Sequence, residues 1–261
     1  MTTTSAVRVA MVAPPRGVVQ TGVVPVRAEP DASAEQVDQA LWGEVVTRLG
    51  ERGDWIFVQG PDLYFGWIPS RALGSYGGGE SWIVAVPLAA VRSTPVPGSD
   101  VVDELPVGSP LRSNEREGEW WCLPHDRYVR IDDTIDMATL PQRPPTPGDL
   151  VTTAESFLGV PYLWGGTSAH GIDCSGLTQQ VYRLNGVGLD RDADQQALGG
   201  RPVDVARPGD LFFFGDTRVT HTAVATGATT FIHAPQAGQS VQRGELTADR
   251  SRLRSTRRYL P

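Results

Sequence analysis

A repeat with an offset of about 65 residues runs through the first half of the chain and constrains its fold more than any other feature. VRAEP at 26–30 recurs as VRSTP at 91–95, and GDW at 53–55 recurs as GEW at 118–120. Further matches are LWGE (41–44) with PVGS (106–109) and DLYFGWI (62–68) with DRYVRI (126–131). Each copy contains short alternating segments separated by turn residues. This pattern predicts a small all-β barrel in each copy rather than helices.

Segments rich in glycine and proline divide the chain into parts. GSYGGGE at 74–80 separates the two copies, and LPQRPPTPGD at 140–149 leads stiffly into the remainder of the chain. We therefore predict three domains and one linker. Their bounds are 1–78 for the first copy with an N-terminal extension, 79–140 for the second copy, 141–148 for the Pro-rich linker and 149–261 for the C-terminal domain.

One cysteine of the C-terminal domain, Cys174, lies between a Gly-rich loop and the start of a predicted helix. Asp173 occupies a good N-cap position and Gly186 follows the end of the helix. The apolar residues with helical spacing are Leu177, Val181 and Leu184. A helix N-terminus favours an anion and can lower a thiol pKa to about 3.5–7.5. Cys174 is therefore a candidate thiolate nucleophile, the alternative being a small buried hydrophobic residue.

Two of the four histidines lie on predicted neighbouring strands. The stretches 207–216, 220–227 and 229–235 are predicted as three short strands, with His221 at the start of the second and His233 near the end of the third. A short turn between antiparallel strands would bring the two imidazoles into contact. A cysteine, a histidine base and a residue that orients the base together form a catalytic triad.

The motifs PYLWGG, DCSG, RPGDLFFF, HTAV and FIHA occur in this order and resemble the NlpC/P60 cell-wall cysteine peptidases, a papain-like family that cuts peptidoglycan stem peptides. The resemblance covers roughly residues 149–261. It implies an α+β papain-like catalytic domain after the two β-barrels. The catalytic residues that it implies are Cys174 as nucleophile, His221 as base, His233 as orienting residue and Tyr162 near the oxyanion site.

The resemblance also implies which residues line the substrate groove. These are Asp173 and Ser175, which flank the nucleophile, and Trp164; for Tyr162 and Trp164 the alternative is ordinary core packing. The chain departs from the family in one place, because Arg191, Asp192 and Ala193 stand where many relatives have Arg-Asp-Ser. One hydroxyl contact expected in the groove is therefore absent.

The two repeats resemble the bacterial SH3-like domains that are often fused to such peptidases. The copies differ at Glu29, whose counterpart is Thr94, and in the segment around Tyr64. In two-barrel relatives that take free stem peptides, the first barrel closes one end of the groove. This resemblance implies that Glu29, Tyr64 and Asp173 meet the free amine of the substrate. For Glu29 the alternative is a solvated turn residue.

The resemblance implies a cysteine endopeptidase that hydrolyses the bond between γ-D-Glu and a diamino acid such as diaminopimelate. Its substrate would be a murein peptide with a free N-terminal L-Ala, and the role of the enzyme would be murein peptide recycling. The alternative is an exported peptidoglycan endopeptidase that trims intact wall, with both SH3-like domains as anchors. A thiol acyltransferase and an inactive wall-binding module are further alternatives, the last hard to reconcile with a complete set of Cys174, His221 and His233.

Composition excludes several other classes. The chain has 261 residues, of which 40% are hydrophobic and 20% charged, as expected for a soluble globular protein. Its net charge of −7 argues against a nucleic-acid partner, and no CxxC or HExxH motif indicates a metal or cofactor. No stretch reaches the ~18 apolar residues of a membrane helix. The N-terminus does not resemble a signal peptide, so we expect a cytoplasmic protein, or an exported one if a signal has been removed.

Overall fold

The computed structural model of the protein describes residues 15–75, 81–140, 143–246 and 252–261. The N-terminal extension up to residue 14, most of the Gly-rich joint and residues 141–142 of the predicted Pro-rich linker lie outside the described residues. The described ranges form three units, which we name the first β-unit (16–74), the second β-unit (81–136) and the C-terminal unit (147–258).

The first β-unit is one antiparallel sheet that curls around an apolar core, with the strand order β3-β2-β6-β5-β4-β1-β7. Its inward positions alternate with more exposed ones, as in β2, where Val24 and Val26 are buried. Ser70–Ala72 form a 3₁₀ turn before the last strand. The strands are β1 (Arg16–Val19), β2 (Val23–Arg27), β3 (Gln36–Leu41), β4 (Val45–Arg52), β5 (Trp55–Gln59), β6 (Phe65–Pro69) and β7 (Leu73–Gly74).

The second β-unit repeats this order of strands, divided between a five-stranded sheet, β10-β9-β14-β13-β12, and a three-stranded sheet, β11-β8-β15. A 3₁₀ turn at Ile131–Asp133 again precedes the last strand, and another follows at Met137–Thr139. The sequence repeat is thus a structural repeat. The strands are β8 (Ser81–Val84), β9 (Leu88–Arg92), β10 (Val101–Pro106), β11 (Pro110–Arg112), β12 (Arg116–Glu117), β13 (Trp120–Leu123), β14 (Arg127–Arg130) and β15 (Thr134–Asp136).

The two β-units pack closely against each other. Trp42 of the first unit is 5% exposed and belongs to the apolar core of the second. The backbone N–H of Gly22 donates to Oδ2 of Asp103 at 2.9 Å. Gly43 has a φ of +77° and lies so near the second unit that a Cβ there would be 2.0 Å from the carbonyl oxygen of Pro110. The junction therefore depends on a residue without a side chain.

The C-terminal unit places two helices against an antiparallel sheet with the order β18-β23-β19-β20-β21-β22. Its core is formed by one face of this sheet and the inner faces of α1 and α2. The elements are α1 (Pro147–Ser156), β16 (Thr167–Ser168), β17 (Gly171–Ile172), α2 (Cys174–Arg183), α3 (Ala193–Gln196), β18 (Arg201–Pro202), β19 (Leu211–Phe214), β20 (His221–Ala225), β21 (Thr230–His233), β22 (Gln242–Glu245) and β23 (Leu253–Arg258).

Helix α2 begins and ends where the sequence predicts. The side chain of Asp173 accepts a hydrogen bond from the N–H of Gly176 at 2.7 Å and so caps the N-terminus. Gly186, with a φ of +78°, follows the C-terminus. Residues 174–182 are all buried, because the sheet covers one side of α2 and the first β-unit approaches another. Within the described ranges, no helix is long and apolar enough to cross a membrane.

Substitution of Gly43 tests the junction between the β-units. We expect Gly43→Ala to lower the free energy of unfolding by at least about 2 kcal/mol more than Gly53→Ala does, because overpacking adds to backbone strain. Gly53 is a matched control, since its φ is +57° but a Cβ there meets nothing within 4 Å. Equilibrium urea unfolding measures both. Equal losses would mean that the contact with Pro110 contributes nothing to stability.

Candidate active site

The thiol of Cys174 lies at the junction between α2 and the sheet. Cys174 is the first residue of α2 and is 9% exposed. The backbone N–H of Thr222 on β20 is directed at its sulfur. Thr222 follows His221 directly in the chain, so the structure brings the predicted nucleophile next to the strand that carries the predicted base.

The two predicted strand histidines are in direct contact. Nε2 of His221 lies 2.9 Å from Nδ1 of His233, and the rings meet edge to face. When Nε2 of His221 carries the proton of this hydrogen bond, its Nδ1 is unprotonated and able to accept a proton. The geometry is that of a base and the residue that fixes its tautomer.

Aromatic rings enclose the histidine pair. The ring centroid of Phe214 is 5.7 Å from that of His221, and Phe231 packs edge-on against His233 at 4.9 Å. Burial, the neighbouring His233 and Arg252 lower the pKa of His221 to about 4, and burial also lowers the pKa of His233. Both imidazoles are therefore neutral at neutral pH, the form in which His221 can accept a proton.

The expected depression of the thiol pKa is wrong for the free protein. Burial and the carboxylate of Asp173 raise the pKa of Cys174 to about 11. The N–H groups of Thr222 and Ser175 and the charge of Arg191 favour the thiolate but do not compensate. The helix N-terminus is present as predicted, but the loss of hydration around a buried sulfur outweighs it. The free protein therefore holds a neutral thiol beside a neutral imidazole.

Tyr162 lies close enough to Cys174 for the two side chains to interact electrostatically. Its backbone N–H donates to the carbonyl of Gln239 at 2.8 Å, and an isolated bridge joins it to Ile172, which fixes the loop before α2. Burial, Cys174 and Asp173 raise the pKa of Tyr162 to about 12, so its hydroxyl stays protonated and can donate a hydrogen bond. The predicted role at the oxyanion site remains a prediction.

Asp173, predicted to line the groove, is buried and fully engaged by the protein. Its Oδ1 accepts from Gly176 N–H, Ser175 Oγ and Arg191 Nη1, and its Oδ2 accepts from Gly165 N–H and Arg191 Nη2. Ser175, also a predicted groove residue, is 6% exposed and accepts from Arg191 Nη1 at 3.0 Å. The substrate contacts of both residues remain predictions, and their observed role is to fix the start of α2.

Arg191 is the centre of this network, although it is not among the predicted site residues. Its side chain is 1% exposed. Besides Asp173 and Ser175, it contacts Asp38 of the first β-unit, with Nε donating to Oδ1 at 2.7 Å. Burial raises the pKa of Asp38, while the guanidinium opposes that shift. No sequence pattern indicates this contact; in the structure, the adjacent polar residues Asp38 and Gln39 of β3 are both buried, where alternation predicts one inward and one outward residue.

Strand β3 also holds the loop that carries Trp164. The indole N–H of Trp164 donates to Glu35 Oε1 at 2.8 Å, and its carbonyl accepts from Gln36 Nε2 at 2.9 Å. The N–H of Thr167 donates to Gln39 Oε1 at 2.9 Å. Trp164 is 61% exposed, so the alternative of core packing is wrong for it. Its place in a substrate groove remains a prediction.

Tyr64 reaches the C-terminal unit from the start of β6. Its hydroxyl donates to Oδ2 of Asp192 at 3.1 Å, and Asp192 directly follows Arg191. Burial raises the pKa of Asp192, while the Tyr64 hydroxyl opposes that shift. Ala193, where relatives have a serine, begins α3 and is buried. The structure thus brings Tyr64 to the Arg-Asp-Ala segment.

Glu29 is exposed in the turn that follows β2, and its backbone carbonyl accepts a hydrogen bond from Asp31 N–H. The antiparallel register pairs Arg27 of β2 with Trp67 of β6. The end of β2 therefore lies beside the start of β6, at the same edge of the first β-unit as Tyr64. Contact of Glu29 with a substrate remains a prediction.

Alkylation of Cys174 tests the neutral resting state. In a Cys122→Ala variant, which leaves Cys174 as the sole cysteine, we expect the rate of iodoacetamide alkylation to increase with pH up to a midpoint near 11, because burial and Asp173 disfavour the thiolate. A midpoint below the ordinary value of about 8.5 would instead indicate a thiolate stabilised by the helix and a protonated His221.

Comparisons with known proteins agree with this arrangement. The sequence profile of the NlpC/P60 family matches residues 159–257, and that of the bacterial dipeptidyl-peptidase SH3 domain matches residues 26–73. A protein named gamma-D-glutamyl-L-lysine dipeptidyl-peptidase from Bacillus subtilis is 32% identical over 230 residues, covering 78% of this chain and 74% of that protein. One of the same name from Bacillus cereus is 32% identical over 253 residues, covering 85% and 75%.

Solved structures include one of similar overall architecture. The crystal structure of an NlpC/P60 family protein from Bacillus cereus has a TM-score of 0.80 and 25% identity, and covers 95% of this chain and 100% of that one. The similarity extends through both β-units as well as the C-terminal unit. The NlpC/P60 profile covers Cys174, His221 and His233, and the chain matches its Bacillus relatives over most of their length. The chain therefore belongs to the NlpC/P60 family of peptidases and carries a bacterial dipeptidyl-peptidase SH3 domain in its first half.

Proposed function

We propose that this peptidase releases L-Ala-γ-D-Glu from free stem peptides by hydrolysing the bond between γ-D-Glu and a diamino acid. The observation that carries the proposal is the contact of Tyr64 with Asp192, which brings the first β-unit to the segment after α2 and supports closure of one end of the site by that unit. A groove that is closed at one end favours cleavage at a fixed distance from the terminus of the substrate. The names of the Bacillus relatives support the same bond type, with lysine as their diamino acid.

In the first chemical step, Cys174 is the nucleophile and His221 the base. As Sγ bonds to the scissile carbonyl carbon, the thiol proton moves to Nδ1 of His221, which is available because Nε2 faces His233. Since both groups are neutral at rest, proton transfer accompanies the attack. The oxyanion accepts hydrogen bonds from the backbone N–H of Cys174 and the hydroxyl of Tyr162.

The second step releases the diamino acid. The tetrahedral intermediate breaks its C–N bond, and the proton on His221 passes to the leaving amine. The dipeptide remains as a thioester on Cys174. Water then gives a proton to His221 and adds to the thioester carbonyl, and the sulfur leaves with the proton, so that L-Ala-γ-D-Glu and the starting enzyme result.

The free amine of the substrate binds at the edge formed by the first β-unit. Glu29, Tyr64 and Asp173 are the residues proposed from the family resemblance. Asp192, whose carboxylate accepts the Tyr64 hydroxyl, adds a charge at this edge. Hydrogen bonds to a charged group stabilise by about 1.5–3 kcal/mol each, and a blocked amine would leave these carboxylates without their cationic partner. Because Asp173 is already neutralised by Arg191, the main contribution falls to the other three residues.

The finer architecture belongs to the same proposal. Both β-units are SH3-like barrels, because the strands of the first recur in the same order in the second. The C-terminal unit is an α+β papain-like domain, since its nucleophile begins a helix that packs against the strand bearing the base. We place the enzyme in murein peptide recycling inside the cell, with the free tripeptide as its partner.

Mass spectrometry of defined peptides tests the proposal. We expect cleavage of L-Ala-γ-D-Glu-L-Lys or its diaminopimelate analogue, and at least a roughly 100-fold slower reaction of the N-acetylated peptides, in keeping with two lost charged hydrogen bonds. Cys174→Ala should abolish cleavage. Cys122→Ala, which removes the other cysteine, should not. Equal cleavage of free and acetylated peptides would favour an exported peptidase that trims intact wall, and cleavage of neither would overturn the reaction proposed.

Tyr64→Phe tests the role of the first β-unit. Loss of the hydroxyl removes one hydrogen bond from Asp192, and we expect KM for the free tripeptide to increase by about 10-fold with little change in kcat. Tyr128→Phe is the control: Tyr128 aligns with Tyr64 in the sequence repeat, but it pairs with Arg92 on β14 as Trp67 pairs with Arg27, so its hydroxyl belongs to the second β-unit. An unchanged KM in Tyr64→Phe, or the same increase in both variants, would remove Tyr64 from amine recognition.

A further inference from the structure

Strand β3 of the first β-unit makes contacts with the C-terminal unit that amine recognition does not explain. Four of its residues or their immediate neighbours bond to the loop before α2 or to the segment after it: Glu35, Gln36, Asp38 and Gln39. Of these four, Asp38 is the residue that forms a buried ion pair, since its side chain is 10% exposed and that of its partner Arg191 is 1% exposed.

We propose that Asp38 is a positioning residue for the nucleophile, because it holds the Arg191 guanidinium against Asp173 and away from the sulfur of Cys174. This inference rests on the proposed function insofar as Cys174 is taken as the nucleophile. An SH3 domain would thus supply one of the charged groups that surround the catalytic site in another unit of the chain.

The geometry of the guanidinium carries the argument. Nη1 and Nη2 of Arg191 bond to Oδ1 and Oδ2 of Asp173 at 3.1 and 2.7 Å, a two-point contact that is sensitive to rotation of the guanidinium plane. The Nε edge bonds to Asp38 at 2.7 Å and fixes that rotation. Asp173 in turn caps α2 through Gly176 and holds Gly165 of the preceding loop. Displacement of Arg191 would therefore disturb both sides of Cys174.

The charges give Asp38 a second effect. Two carboxylates, Asp38 and Asp173, face one guanidinium. Because burial raises the pKa of Asp38 to about 8, the group carries one net negative charge above that pH, in the range where the thiol titrates. Without the charge of Asp38, the guanidinium is free to pair with the Cys174 thiolate. Such pairing would stabilise the thiolate and so lower the pKa of Cys174, which increases the fraction of thiolate at a given pH while each thiolate becomes a weaker nucleophile. The other charged or titratable groups around this network are Tyr64, Tyr162, Asp62 and Asp192, with His221 on the adjacent strand.

The test compares isosteric variants in a Cys122→Ala background, with iodoacetamide as the probe of Cys174. We expect Asp38→Asn to lower the midpoint of the alkylation pH profile by roughly one pH unit and Arg191→Gln to raise it, since the first removes a negative charge and the second a positive one. General loosening of the fold would move both midpoints in the same direction. Asp54→Asn, which removes an exposed carboxylate of the same β-unit, should match the parent protein.

Peptide turnover supplies the second readout. We expect Asp38→Asn to lower kcat by about 100-fold, as for a misplaced reacting group, with a smaller effect on KM because Asp38 is not proposed to touch the substrate. Asp38→Glu keeps the charge, so we expect it to retain the parental midpoint and to have an intermediate kcat. This variant replaces Asp38→Asn in the comparison if Asp38→Asn does not fold. Midpoints that do not move, or move together, overturn the inference. If no variant, including the parent, cleaves peptide while the midpoints move oppositely, the proposed function fails and the charge network stands.

Discussion

The site depends on one buried guanidinium. Arg191 is almost inaccessible to water, and burial of an unpaired cation would cost several kcal/mol. Its hydrogen bonds to Asp38, Asp173 and Ser175 offset that cost. Asp173 and Ser175 come from the start of α2 and Asp38 from the first β-unit, so the full set of partners is complete only when the two units are docked.

The same burial explains why the thiol rests in its neutral form. A sulfur that is enclosed by α2 and β20 and lies next to Asp173 has little solvent to stabilise its anion. His221, which is buried and packs against Phe214, is likewise poor at holding a proton in the free protein. In the proposed mechanism, the proton passes directly between the two groups during the attack, so each acts only in the presence of the other. Selectivity against adventitious electrophiles follows from this coupling.

The sequence predicts the local parts of this structure well and the contacts between units poorly. The cap at Asp173, the extent of α2 and the strands of His221 and His233 follow from short patterns, and the structure confirms them. Arg191 and Asp38 are 153 positions apart, and no periodicity relates them. The thiol pKa could not be anticipated either, because it depends on burial that arises only when the sheet packs against the start of α2.

The repeat explains how an SH3 domain came to contribute to a catalytic site. β3 and β10 are equivalent strands, each at the edge of its sheet, and an exposed edge tends to be covered by a neighbour. Asp38 on β3 holds Arg191, and its counterpart Asp103 on β10 accepts the N–H of Gly22.

The next positions continue the correspondence between the two copies. Gln39 accepts the N–H of Thr167, and its counterpart Glu104 lies 3.7 Å from the imidazole of His170, so both reach the segment before α2. The edge strand is thus a docking surface in both copies. Among the described residues, the carboxylate of this strand meets a cation next to Cys174 in the first copy alone, which distinguishes the contacts of the two β-units.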